Sequence, residues 1–428
     1  MTRQMKDSGI EWIGEIPEDW VLNKIGSIYK ERNAKVSDKD YEPLSVTKKG
    51  IVRQLENAAK TDDGDNRKLV KKNDFVINSR SDRRGSCGIS EYDGSVSLIN
   101  IVLKPEKDMN NLYYNYAFKT EEFADEYYRW GNGIVNDLWS TKWSSMKKIY
   151  IPYPILEEQT QIANYLDNKC SKIDETIEKQ KQVVEKLKEY KQSVITDAVT
   201  KGLNPDVKMK DSGIGVIPGH WHVTKIGNIF KFIGGFAFSS EKYCDETKNQ
   251  VIRIGNIRND KLYLENNPVF ITDVYAKQAE SVKINNEDIL FTMTGTKGKR
   301  DYFYTLIVKE CELKDKKLYL NQRVGCFRKR TEAKSSYYNY LFKKDRILDE
   351  IFTYETGTAN QGNLGIDSIR RTKVYFPPLK EQEQIANYLD QKCTAIDKAI
   401  ANKEKLIAKL DEYKKSLIYE CVTGKRAV

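Results

Sequence analysis

Two stretches of the chain carry the same helical pattern. In the first, apolar residues recur at Leu166, Cys170, Ile173, Ile177, Val184, Leu187, Val194 and Ala198. In the second they recur at Leu389, Cys393, Ile396, Ile400, Ile407, Leu410, Leu417 and Cys421. Spacings that alternate between three and four make a heptad seam. Gln180 and Lys191 interrupt it in the first stretch, Lys403 and Lys414 in the second. Neither stretch contains Pro or Gly, and Lys, Glu and Gln cover the other faces. The pattern predicts a long helix over 156–202 and a second within 379–428, each of about 44 residues and roughly 65 Å at 1.5 Å per residue. The seams predict that the helices pair with each other.

The intervening regions are patterned differently. Residues 1–155 and 203–378 hold short runs such as Asp74-Phe-Val-Ile-Asn78, Val96-Ser-Leu-Ile-Asn-Ile-Val-Leu103, Val251-Ile-Arg-Ile254 and Asp288-Ile-Leu-Phe-Thr292, separated by Gly- and Asn-rich turns. These read as strands, while 113–128 and 337–352 read as helical. The expected fold class is α+β, with two globules of mixed structure joined by two long helices.

The chain is also a duplication. Residues 157–200 return without a gap as 380–423, with about half the positions identical, including Glu158-Gln159 as Glu381-Gln382. Met5-Lys-Asp-Ser-Gly-Ile10 returns as Met209-Lys-Asp-Ser-Gly-Ile214, and Ile16-Pro17 with Trp20 as Ile217-Pro218 with Trp221. The first long helix runs into the second opening segment. The partner for the second helix is then the opening segment at Met5, so the layout closes into a circle. That predicts adjacent termini, a pseudo-two-fold arrangement and antiparallel helices.

Composition narrows the class. With 72 Lys+Arg against 62 Asp+Glu the net charge is +10, compatible with a polyanionic partner but not proof of one. No run approaches the ~20 apolar residues of a membrane span, and the polar start lacks the pattern of a secretory signal. Seven scattered cysteines without a C-x-x-C pair read as reduced thiols, so a cytoplasmic location is expected. His220 and His222 are the sole histidines, which leaves little room for His-based metal sites or Ser-His triads.

Within this layout, Pro377-Pro-Leu-Lys-Glu-Gln382 with Gln384-Ile-Ala386, its counterpart Pro154-Ile-Leu-Glu-Glu-Gln159, Gly234-Gly-Phe-Ala-Phe238, Val251-Ile-Arg-Ile-Gly-Asn-Ile257 and Asp288–Thr292 followed by Gly295-Thr296 occur in a distinctive order. On these residues the chain resembles the specificity subunits of Type I restriction–modification systems over essentially its whole length. The first globule departs from the pattern, with Lys30-Glu-Arg-Asn-Ala-Lys35 where the Gly-Gly-Phe-Ala-Phe run would stand. The resemblance implies that each globule is a target-recognition domain for one half of an interrupted duplex DNA sequence. It further implies that the helix pair is a ruler and that two modification subunits dock on it. S-adenosylmethionine would then sit on the modification subunits, and ATP and Mg on two restriction subunits where these are present. No cofactor or metal is expected on this chain, nor a membrane partner.

A reader of DNA needs cations for phosphates and Arg, Asn or Gln for base edges. Three places offer them: the basic turns Arg80, Arg83, Arg84 and Lys297, Lys299, Arg300; the Gly/Asn loops with Asn132 and Asn136, and with Asn360, Gln361 and Asn363; and Arg253, Asn256 and Arg258. The competing readings are a solvated basic turn, ordinary turn chemistry and a structural strand-end arginine. Catalytic readings fare poorly. Asn267-Pro-Val-Phe270 has Val269 where an amino-methyltransferase motif needs Pro, and Gly295-Thr-Lys-Gly-Lys299 has the wrong spacing for a phosphate-cradling loop. The chain is therefore expected to be non-catalytic. The alternative function is a coiled-coil adaptor whose globules bind protein without specific DNA binding.

Overall fold

A computed structural model of the chain describes residues 3–54, 64–106, 108–133, 139–258, 261–358 and 361–428. It divides into two compact units, Met1–Val183 with Asn402–Val428, and Val184–Ala401. The long helices, Leu156–Lys201 and Leu379–Val422, each give one part to each unit.

The first unit is built on an antiparallel sheet in the order Cys87–Ile89, Phe75–Asn78, Asn100–Pro105, Tyr29–Glu31. The second unit repeats it as Thr305–Ile307, Ile289–Thr292, Val324–Lys329, Phe230–Gly234. The central strands Phe75–Asn78 and Ile289–Thr292 are buried on both faces, which explains why each carries three consecutive apolar residues rather than alternating ones. Phe75 and Ile77 enter a core with the helices, while Val76 joins a second cluster. Ile289 and Phe291 likewise face the helices, and Leu290 faces a separate cluster with Val251 and Tyr319.

The expected helical segments are each two helices. Asn111–Phe118 and Glu121–Arg129 are separated at Thr120, whose hydroxyl caps the second by accepting from Phe123 N at 3.2 Å. Ser335–Leu341 and Asp345–Phe352 are their counterparts.

The duplicated Glu-Gln pair has a structural explanation. The Gln159 side chain is buried; its Oε1 accepts from Asn110 N at 2.8 Å and its Nε2 donates to Pro154 O at 2.8 Å. Gln382 does the same with Lys334 N at 2.9 Å and Pro377 O at 2.8 Å. The glutamates hold the opening segments: Trp20 Nε1 donates to Glu158 at 2.8 Å and Trp221 Nε1 to Glu381 at 2.9 Å. His220 also bonds Glu381, at 2.6 Å, a structural position.

Each long helix ends on an opening segment. Gly202 and Gly424 both take φ +74°, the left-handed cap that glycine adopts without steric cost. Gly202 abuts Pro218 and Trp221, and Gly424 abuts Pro17 and Trp20. In the first unit Tyr419 Oη donates to Ile13 O at 3.1 Å and Tyr113 Oη to Val422 O at 2.7 Å. In the second, Tyr337 Oη donates to Val199 O at 3.1 Å. The closed layout read from the repeats thus exists inside each unit.

The helices run antiparallel. In the first unit Cys170 lies near Cys421, while Lys414 Nζ reaches Asp174 at 2.6 Å. In the second unit Lys191 Nζ reaches Asp397 at 2.7 Å. The polar interruptions Lys191 and Lys414 are therefore cross-helix ion pairs. Among seam residues Leu166, Ile177, Val184, Leu389 and Ile396 are buried, while Ile173, Leu187, Ile400, Ile407 and Leu410 are partly buried.

Candidate nucleic-acid interface

In each unit the basic turn and the Gly/Asn loop, far apart in sequence, are stitched into one surface. In the first unit Arg80 and Asn132 both bridge to Ser140. Ser81 N donates to Trp139 O at 3.1 Å and Thr141 N to Ser79 O at 3.0 Å. In the second unit the stitching is a small antiparallel sheet in which Thr294–Gly295 pairs with Gln361–Leu364, which pairs with Glu355–Thr358. Glu355 accepts from Gly298 N at 3.0 Å and from Tyr302 Oη at 2.6 Å, and Lys297 Nζ donates to Gly357 O at 2.9 Å.

The cations of these turns have different roles. Arg84 is paired with Asp125 at 2.5 Å, and Arg300 with Asp349 at 2.6 Å. In both units an arginine ties the turn to the second short helix, and the hydrogen bond to Asp125 raises the Arg84 pKa above its ordinary value. These two arginines brace the surface. Arg83, 3.6 Å from Asp82, and Lys297 and Lys299 are exposed. Arg80 is partly buried on the wall of a cleft of about 780 Å³ that also holds Asn33, Lys142 and Lys147.

Asn132 and Gln361 are exposed on the stitched surfaces, and Asn363 is partly buried opposite Thr294. Asn136 and Asn360 lie outside the described residues. The third group divides. Asn256 is buried with its amide engaged: Oδ1 accepts from Arg253 N at 2.9 Å, and Nδ2 donates to Tyr263 O at 3.0 Å and Asn266 O at 2.9 Å. Freeing it for a base edge would strand those backbone groups, so it shapes the turn instead. Arg253 donates to Asn267 O at 2.6 Å and Arg258 is exposed.

Sequence reasoning missed Lys142 and Lys147, and the turn Asn321–Arg323, which lines a cavity of about 360 Å³ with Arg253 and Asn266. It also read 96–103 as one strand. The structure has strands Gly94–Val96 and Asn100–Pro105 joined by a turn in which Asn100 N donates to Ser97 O at 3.0 Å. Asn100 was the signal for that turn, masked by its apolar neighbours.

A family model described as the Type I restriction modification DNA specificity domain matches the chain twice, over residues 17–186 and 218–412. The chain belongs to this family. Each match begins at the repeated proline, Pro17 or Pro218, and runs into the long helix that follows. The chain is accordingly a specificity subunit and not a catalytic one. Similar proteins include the Type I restriction enzyme MjaVIII specificity subunit of Methanocaldococcus jannaschii, 26% identical over 425 residues, covering 96% of this chain and 93% of that one. The EcoKI specificity subunit of Escherichia coli K12 is 22% identical over 438 residues, covering 96% and 90%. Among solved structures, a chain from work on complex assembly and conformational transition of the type I R-M system matches with a TM-score of 0.74 at 12% identity, covering 96% of this chain and 99% of that one. The HsdS subunit from Thermoanaerobacter tengcongensis matches with a TM-score of 0.57 at 13% identity, covering 96% and 98%. At such identities these two likenesses speak for the fold. Among the described residues no helix is long and apolar enough to cross a membrane.

Proposed function

We propose that the chain reads a split duplex DNA sequence, one half with each unit, as the recognition subunit of a Type I restriction–modification complex. The observation that carries this is the stitched surface. Equivalent scaffolds bring a basic turn and an Asn- or Gln-bearing loop together in both units, while the residues offered differ, Arg80, Arg83 and Asn132 in one and Lys297, Lys299 and Gln361 in the other. Cations position a protein on phosphates and amides read base edges, so one scaffold with two faces suits two different half-sites. The long helices, shared by both units, hold the spacing and dock two modification subunits, which carry S-adenosylmethionine; ATP and Mg belong to restriction subunits. The complex works in the cytoplasm.

Methylome sequencing of cells co-expressing the chain with its modification subunit tests this. The expected result is a two-part motif with a fixed spacer. Four seam-compatible residues inserted near Gln180 should leave both halves unchanged and lengthen the spacer by about one or two base pairs, from ~1.5 Å per helical residue against ~3.4 Å per base pair. A protein-binding adaptor would yield no motif, and an unchanged spacer at full activity would remove the ruler.

A further inference from the structure

At one place the two units make the same turn with opposite chemistry. Ser79, which follows the strand Phe75–Asn78, donates its N–H to Ile99 O at 3.3 Å. Met293, which follows Ile289–Thr292, donates to Arg323 O at 3.1 Å. The registers agree, since Asn78 faces Asn100 and Thr292 faces Val324. Ile99 and Arg323 therefore hold the same structural position, as do Leu98 and Gln322.

Leu98 and Ile99 are 41% and 42% exposed, and they line the same cleft as Arg80, Lys142 and Lys147. A single exposed aliphatic residue needs no explanation. Two together in a cleft that also holds Lys68, Arg80, Lys142 and Lys147 are a different matter, because apolar surface there is wasted on phosphate. In the second unit Gln322 and Arg323 are exposed, and neither side chain is bonded to another described residue. Arg84, Arg253 and Arg300 are each held by a partner. Arg323 instead faces the cavity it shares with Arg253 and Asn321. It is also next to the stitched surface, because Leu364 N donates to Met293 O at 3.2 Å.

We infer that this turn is the base-reading tip of each unit, with Leu98-Ile99 packing on thymine methyl groups and Gln322-Arg323 bonding purine edges, Arg323 to guanine. The inference rests on the DNA-reading function proposed above. The thymine C5-methyl is the apolar landmark of the major groove, whereas guanine N7 and O6 match the guanidinium fork. Exchanging two residues at one turn thus gives one fold two different half-sites.

The test uses the full chain in complex with its modification subunits and the duplex defined by the methylome, competed with scrambled duplex. Deoxyuridine in place of thymidine removes the methyl alone. In the half read by the first unit it should weaken binding about fourfold, which is ~0.8 kcal/mol per methyl. In the other half 7-deazaguanine removes the N7 acceptor and should weaken binding about tenfold. Leu98→Ala with Ile99→Ala should abolish the deoxyuridine response and spare the 7-deazaguanine response. Arg323→Ala should weaken binding to the cognate duplex about tenfold and abolish the 7-deazaguanine response, while binding to scrambled duplex changes little. Because the base analogues probe the unaltered protein, a variant that fails to fold leaves the test intact. Specific binding indifferent to both analogues would overturn the tip and leave the DNA-recognition reading standing. Loss of affinity for all sequences alike with Arg323→Ala, with the 7-deazaguanine response kept, would make Arg323 a phosphate ligand and also overturn the tip. No specific binding at all would overturn both.

Discussion

Replacing Gln159 with alanine should release the short helix Asn111–Phe118 from the start of the long helix. The side chain is buried and makes two bonds of 2.8 Å to main-chain groups, the N–H of Asn110 and the carbonyl of Pro154. The second bond is fully buried, and leaving that carbonyl without a partner costs about 1–3 kcal/mol; the first is half-buried and adds about 1 kcal/mol. The expected loss is thus about 2–4 kcal/mol, a large share of a domain's stability of ~5–15 kcal/mol. Gln159→Glu sharpens the test. A carboxylate still accepts from Asn110 but sets an oxygen against the Pro154 carbonyl in a buried place, so it should be no better than alanine despite its matching shape. Hydrogen exchange on the full-length chain is the assay, because a two-unit protein need not unfold in one step. Protection at Asn111–Phe118 should fall with Gln159→Ala while Ser335–Leu341 is unchanged, and Gln382→Ala should do the reverse. A loss below about 0.5 kcal/mol, the usual scale of a surface substitution, or a glutamate variant as stable as the parent, would refute the reasoning.

Other substitutions separate bracing from binding. Arg83→Ala and Lys299→Ala should weaken binding to every DNA sequence and flatten the dependence of log K on log salt by about 0.9 for each phosphate no longer neutralised, measured by fluorescence anisotropy. Gly424→Ala should destabilise the first unit more than Gly202→Ala does the second, as read by hydrogen exchange in each unit. Both strain a positive φ, but a Cβ on Gly202 would lie 3.3 Å from the Trp221 ring, whereas one on Gly424 would overlap Pro17. Burial pushes the Cys87 thiol, and the Cys421 thiol, up to about 12. At pH 8 both should resist alkylation in the folded protein while exposed Cys311 reacts, and denaturation should make all seven cysteines reactive, counted by mass spectrometry.

The seams, the duplication and the closed order of segments were legible because each leaves a periodic or repeated trace. The Glu-Gln pair was visible as a signature, but its reason was not, since the bonds of Gln159 run to Asn110, a residue 49 positions away. The basic turns were found by composition, which cannot separate Arg84 from Arg83. The difference is Asp125, brought beside Arg84 by the tertiary fold. Asn256 was attractive as an amide in a polar turn, and burial with three satisfied bonds removes it from the reading face. Leu98-Ile99 went unnoticed because an apolar pair between Val96 and Ile101 looks like the middle of a strand, and only pairing shows where the strand breaks.

The sharing of the long helices also sets an order of events during synthesis. The second unit is one continuous stretch, 184–401, so all of its core residues are present once the ribosome has passed that point. The first unit cannot close then. Its core needs Leu417, Cys421 and Val422, and Tyr113 waits for the carbonyl of Val422, 309 residues downstream. Domains generally fold as units as they are made, N-terminal first, at about 5–20 residues per second. Here the part begun first is finished last. For roughly 15 to 60 seconds of translation at that pace, the buried face around Trp20, Tyr113 and Leu166 has no closing helix, and chaperones would be needed most during that interval.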